Sequence, residues 1–70
     1  MGMDAKEIAR TRRWFGYDLK EMGARIGAHF TTVSMLESGK RTPTDDQLRK
    51  LGALRRRMQA EMARMVAEIS

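Results

Sequence analysis

The one histidine of this 70-residue chain, His29, opens a run of residues that could do chemistry, Phe30-Thr31-Thr32-Val33-Ser34-Met35. Cations flank that run: Lys20 and Arg25 before it, Lys40 and Arg41 after it, with Arg10 and Arg13 earlier in the chain. Hydroxyls and an imidazole make directional hydrogen bonds, and lysine and arginine hold anionic oxygens. Catalysis is a poor use of this set. A lone histidine with no cysteine offers no zinc cluster. No glycine-rich loop is spaced to cradle a phosphate, and Asp45 and Asp46 read as helix-start residues, not as an acid–base pair. No enzyme, cofactor, metal or small-molecule effector is therefore expected. With 14 Lys+Arg against 9 Asp+Glu, the net charge of +5 favours a polyanionic partner.

The elements that position these residues are legible from caps and periodicity. Asp4 with Glu7 three residues on predicts a helix running to about Phe15, with Ala5, Ile8, Arg12 and Phe15 on one face and Gly16 as its stop. Tyr17 falls at an apolar position and is expected in the core, with Trp14 at the core edge or against a partner. Asp18 and Glu21 form a second capping-box pair, and Met22 and Ile26 share the inward face of a helix that Gly27 ends. A third helix carries Val33 and Leu36 inward and ends at Gly39. Only Gly27, Ala28 and His29 separate the second helix from the third, so the two form a helix-turn-helix. Thr42-Pro43-Thr44 breaks the pattern, and Thr44 with Gln47 starts a fourth helix expected from Asp45 to near Ile69, weakened only at Gly52.

This spacing resembles the helix-turn-helix of the Cro/CI-type (XRE-type) DNA-binding proteins. The resemblance rests on Met22 four before Ile26, small Gly23 at the helix crossing, and Gly27-Ala28 in the turn. Val33 and Leu36 point inward, and Glu37-Ser38-Gly39-Lys40-Arg41-Thr42-Pro43 forms the exit. It covers roughly Ile8 to Leu54. The fold it implies is all-α, a small lambda-repressor-like bundle of three short helices plus a long C-terminal helix. Its implied partner is double-stranded operator DNA, and its implied place the cytoplasm of a bacterial cell, with the chain itself of phage or mobile-element type and controlling its own operon. On that resemblance the base-facing positions are His29, Phe30, Thr31, Thr32 and Met35. Phe30 and Met35 would offer apolar contact to thymine methyls, and Thr31 a hydroxyl at a base edge. Lys20, Arg25, Ser34, Lys40 and Arg41 are the expected phosphate contacts, and Arg12 is expected to pair with Glu37. Two departures stand out. The reading helix lacks the Arg, Asn and Gln that carry most bidentate readout, and Leu19 occupies the family's usual phosphate-binding glutamine position, with Lys20 beside it. A looser similarity of layout links the chain to anti-CRISPR-associated regulators.

The fourth helix is longer than so small a core requires. Leu48, Leu51 and Leu54 are expected to close that core. Leu51, Leu54, Met58, Met62, Met65 and Ile69 continue one nearly straight apolar stripe. From Met58 onward the stripe is expected to have nothing in the monomer to cover, so Met58, Met62, Met65 and Ile69 are assigned to a homodimer interface. Folding back on the domain, fraying as a tail, or gripping a different protein as an antitoxin or interaction module would, are the alternatives. Arg57–Glu61 and Arg64–Glu68 suit the opposite, solvated face, and Arg55-Arg56-Arg57 either joins that face or touches the DNA backbone. The organisation expected is one domain over residues 1–70, with 55–70 as the dimerisation helix and Met1 to Met3 as a frayed start. No stretch is apolar enough to span a membrane, and no signal-peptide pattern is evident.

Overall fold

The computed structural model describes residues 3–69, which form four helices: α1 (Ala5–Phe15), α2 (Leu19–Ile26), α3 (Phe30–Ser38) and α4 (Asp45–Ile69). Each begins where the side chains can satisfy its free N–H groups. The Asp4 carboxylate accepts from the Glu7 N–H at 2.8 Å. Asp18 accepts from the Glu21 N–H at 2.7 Å, and Glu21 reaches back to the Asp18 N–H. Thr44 and Gln47 make the same reciprocal pair at 3.2 and 3.0 Å, which starts α4 where the sequence places it.

The core lies where α1, α2, α3 and the first half of α4 meet. Ile8, Met22, Ile26, Val33, Leu36 and Leu51 are almost completely withdrawn from solvent, with Leu54 close behind. Each such side chain stabilises the bundle by roughly 1.5–3 kcal/mol relative to exposure. Phe15, Tyr17, Leu19 and Ala28 pack around the cluster, and Leu48 is half-buried. Phe15 stacks on Tyr17 with ring centroids 5.3 Å apart, while Trp14 meets Phe15 edge-on at 5.0 Å.

Two expectations are corrected, and one unassigned residue proves to be buried. Met3 is not frayed: it is buried in the core cluster and lines a groove with Ile8, Leu36 and Pro43. The rest of the expected frayed start, Met1 and Gly2, lies outside the described residues. Thr11, unassigned from the sequence, is fully buried, and its hydroxyl donates to the Glu7 carbonyl at 2.8 Å. Met58 is only 5% exposed within the monomer, so the uncovered part of the α4 stripe begins later than expected. The reason is the length of α1. Glu7, Arg10 and Thr11 line one groove with Met58, Gln59 and Met62, and Arg55 is anchored there by a 2.7 Å ion pair to Glu7.

Beyond that groove α4 runs clear of the bundle. At ~1.5 Å per residue its 25 residues span ~38 Å, close to the 40 Å longest dimension of the molecule. Met65 is 54% exposed and Ile69 85% exposed. Arg57 and Glu61 approach to 3.9 Å, whereas Arg64 and Glu68 form no ion pair among the described residues. None of the described helices is long and apolar enough to cross a membrane.

Candidate nucleic-acid interface

The α2–α3 pair is locked by its backbone. Gly27 takes a left-handed conformation (φ 71°), and its N–H and that of Ala28 both return to the Gly23 carbonyl, the latter at 2.9 Å. Gly23 lies so close to the turn that a Cβ there would sit 2.2 Å from the Ala28 carbonyl oxygen. Only glycine permits this approach, and it fixes how α3 leaves the turn.

His29 caps α3. Its Nδ1 accepts from the Thr31 N–H at 3.3 Å and so carries no proton in this arrangement. The Thr31 hydroxyl, 2.8 Å from the same nitrogen, is then the donor, and Nε2 keeps its proton for an outside acceptor. The imidazole lies 4.5 Å from the Phe30 ring. Val33 and Leu36 anchor α3 in the core, which turns Phe30, Thr31, Ser34 and Met35 to solvent. Phe30 is 44% exposed and Met35 40% exposed. Thr32 sits on the flank of this face, half-buried, with Arg41 donating to its hydroxyl at 3.4 Å.

The expected phosphate contacts divide into those the fold gathers at α3 and those it places elsewhere. Lys20 lies at the start of α2 and lines a shallow apolar depression with Leu19 and Phe30. Lys40 and Arg41 are held at the other end of α3, where both backbone N–H groups return to the Met35 carbonyl, at 2.9 and 3.3 Å. Ser34 is exposed on α3 itself. Arg25 is exposed, but its guanidinium lies over the Tyr17 ring, 5.0 Å from the centroid. In the basic run of α4, Arg55 is engaged by Glu7, and Arg57 lies over Phe15 and near Glu61.

Behind the reading helix is an ion pair. Arg12 of α1 donates from Nε and Nη2 to the two Glu37 carboxylate oxygens at 2.6 and 3.0 Å, and from Nη1 to the Tyr17 carbonyl at 2.9 Å. The two side chains are 19% and 12% exposed. The bond to Glu37, with its charge, raises the Arg12 pKa above the ordinary guanidinium value against the opposing effect of burial, so this cation persists at every accessible pH. One guanidinium thus ties α1, the α1–α2 connection and the end of α3 together.

Two features were not read from the sequence. One is the Arg41–Thr32 contact, which joins the exit cation to the reading face. The other is Val66, exposed near the end of α4; its place four residues after Met62, on the same side of the helix, was the available signal.

A buried helix pair joined by a glycine turn, with the second helix presenting an exposed face flanked by cations, defines a helix-turn-helix DNA-binding domain. A family model described as helix-turn-helix matches residues 8–54, and the chain belongs to this XRE-type (Cro/CI-type) family of DNA-binding transcription regulators. No curated protein and no solved structure gives a significant match.

Proposed function

We propose that this protein is a dimeric repressor that binds an inverted-repeat operator and occludes a promoter. The observation that carries the reading is the outward face of α3, which is held rigidly from behind by Val33, Leu36 and the Arg12–Glu37 pair and is flanked by Lys20, Lys40 and Arg41. His29, Phe30, Thr31, Thr32 and Met35 are the base-facing set in this reading. Lys20, Arg25, Ser34, Lys40 and Arg41 hold phosphates. Lys20 and Arg41 have the better support, since both adjoin α3.

The dimer follows from α4. Its last turns carry Met65 and Ile69 out from the bundle, and Glu61, Arg64 and Glu68 bring both signs of charge beside them, so two copies need not repel. Met62, Met65 and Ile69 are the interface residues retained from the original stripe. A twofold dimer reads half-sites about one DNA turn, ~34 Å, apart. The layout suits compact self-regulating repressors of phages and mobile elements, the anti-CRISPR-associated regulators among them.

Selection from random duplex, then competition of the enriched site against random DNA at fixed salt, tests the reading. A preference of ~10³ or more with dyad symmetry is expected. Equal competition would reduce the protein to a nonspecific binder. Light scattering of the pure protein is expected to give the dimer mass; a monomer would favour a different protein as the partner of α4.

A further inference from the structure

We infer that the operator is recognised chiefly through thymine C5-methyl groups, met by exposed apolar side chains at two places on the reading face, Phe30 with Leu19 at one and Met35 at the other. The inference rests on the operator-binding reading above and concerns which feature of the bases is read.

Two of the hydroxyls on α3 have committed their protons inside the protein, and Ser34, assigned above to a phosphate, is the one left without an internal bond among the described residues. The Thr31 hydroxyl proton goes to His29 Nδ1, and the Ser38 hydroxyl proton goes to the Met35 carbonyl at 3.1 Å. The Thr32 oxygen already accepts from Arg41. A hydroxyl whose only proton is committed can still accept but can no longer donate, so it cannot produce the paired donor–acceptor pattern that distinguishes one base pair from the rest. The helix holds no Arg, Asn or Gln to make that pattern instead.

The two largest side chains on the solvent-facing half of α3 are apolar and exposed, Phe30 at its start and Met35 five residues on, so that at 3.6 residues per turn they flank Thr31 and Ser34. Phe30 also lines a depression with Leu19 and Lys20, whose remaining lining residues are Arg12, paired with Glu37, and Asp18, the cap of α2. A leucine at the head of α2 therefore adds an apolar group beside Phe30, while the Lys20 ammonium can stay at a phosphate. In the major groove one apolar group marks one base: the C5-methyl of thymine. Nucleic acid is the occupant that the rim selects, because Lys20 lies at one end of the reading face and Lys40 and Arg41 follow α3 at the other. His29 Nε2–H adds one fixed donor beside Phe30.

The test uses the full chain and the site enriched by selection. Thymines are replaced one at a time by deoxyuridine, which deletes only the methyl, and then by 5-bromodeoxyuridine, which restores an apolar group of similar size. Two or more positions per half-site are expected to lose about fourfold in affinity with uracil, the worth of one buried methyl, and to regain it with bromouracil. In Phe30→Ala or Met35→Ala, both exposed positions that leave the core intact, the uracil penalty at the matching thymine is expected to vanish. An enriched site indifferent to uracil at every position overturns this inference alone. A uracil penalty that persists unchanged in both variants overturns the assignment to Phe30 and Met35. Enrichment of no site at all overturns the operator reading and this inference with it.

Discussion

The Arg12–Glu37 pair offers the sharpest test of how this small bundle holds its reading helix. Arg12→Ala leaves the Glu37 carboxylate, 12% exposed, without its cation and removes the donor from the Tyr17 carbonyl. Breaking a fully buried pair from one side costs about 3–5 kcal/mol. Water can still reach part of this one, so about 2–3 kcal/mol is expected. A domain of this length has about 4–10 kcal/mol in total, so the variant loses a large share of its stability and about 10–20 °C in Tm. Glu37→Ala should cost somewhat less, because Arg12 keeps the Tyr17 carbonyl and is 19% exposed.

The double variant Arg12→Met/Glu37→Met separates two roles. Removing both charges also removes their desolvation penalty, so the double variant should be far more stable than the sum of the single losses, and close to the parent. The assay is urea unfolding at one fixed protein concentration, followed by far-ultraviolet circular dichroism and by Trp14, the one tryptophan, which lies against Phe15 near the pair. If the pair chiefly sets where α3 lies, operator affinity falls in the double variant even though its stability does not. Single losses below about 0.5 kcal/mol would show an ordinary surface pair. A double loss equal to the sum of the Arg12→Met and Glu37→Met single losses would show no coupling, and either result refutes the reasoning.

Two glycines should respond to alanine with opposite signs. Gly23→Ala drives a Cβ into the Ala28 carbonyl oxygen and should cost about 3 kcal/mol or more, whereas at Gly52 the new Cβ meets only the mobile Arg56 tip at 3.5 Å and the change should add about 1 kcal/mol; denaturant midpoints decide both. Met65→Asp should leave circular dichroism intact and halve the mass seen by light scattering, while Met58→Asp should unfold the chain because Met58 is buried; an unchanged mass for Met65→Asp removes α4 pairing. The hydrogen bond from Lys50, with help from Arg49, holds the Asp46 carboxyl below the usual carboxylate range. Its contribution is therefore present above the unfolded-state pKa of about 4 and is lost as pH falls through the lower folded value. Asp46→Asn should flatten the midpoint-versus-pH profile below about pH 5, and an unaltered profile would remove Asp46 from the acid response.

Much of this architecture is local, and the local part was legible. Capping boxes at Asp18–Glu21 and Thr44–Gln47 are short-range chemistry, and they mark the starts of α2 and α4 directly. Arg12–Glu37 spans 25 positions and could be anticipated only because the family register aligned the two residues. What escaped depends on where separate elements meet. Met3 has no periodicity of its own; its burial comes from the groove formed by Ile8, Leu36 and Pro43. Thr11 looks like a surface residue by type, yet a hydroxyl that satisfies itself on the Glu7 carbonyl can be buried. At the candidate interface the sequence supplied the residue types on α3, but not that Thr31 and Ser38 have committed their protons.

The burial of Met58 joins the core to the proposed dimer. The α4 stripe is one nearly straight line: Leu51, Leu54 and Met58 are inside the bundle, Met62 is half-covered at its edge, and Met65 and Ile69 lie beyond. A partner that covers Met65 therefore approaches the groove where Arg10, Gln59 and Met62 sit beside Met58, so pairing also shields the edge of the core. Folding and association then become one linked equilibrium, and stability rises with chain concentration by mass action. Over a hundredfold range of concentration, a dimer that unfolds to two chains should gain about 2.7 kcal/mol in apparent stability, seen as a rising urea midpoint. A midpoint that stays constant over that range would mean that α1 and α4 complete the fold without a partner. The outer half of α4 would then have to be explained by something other than self-association.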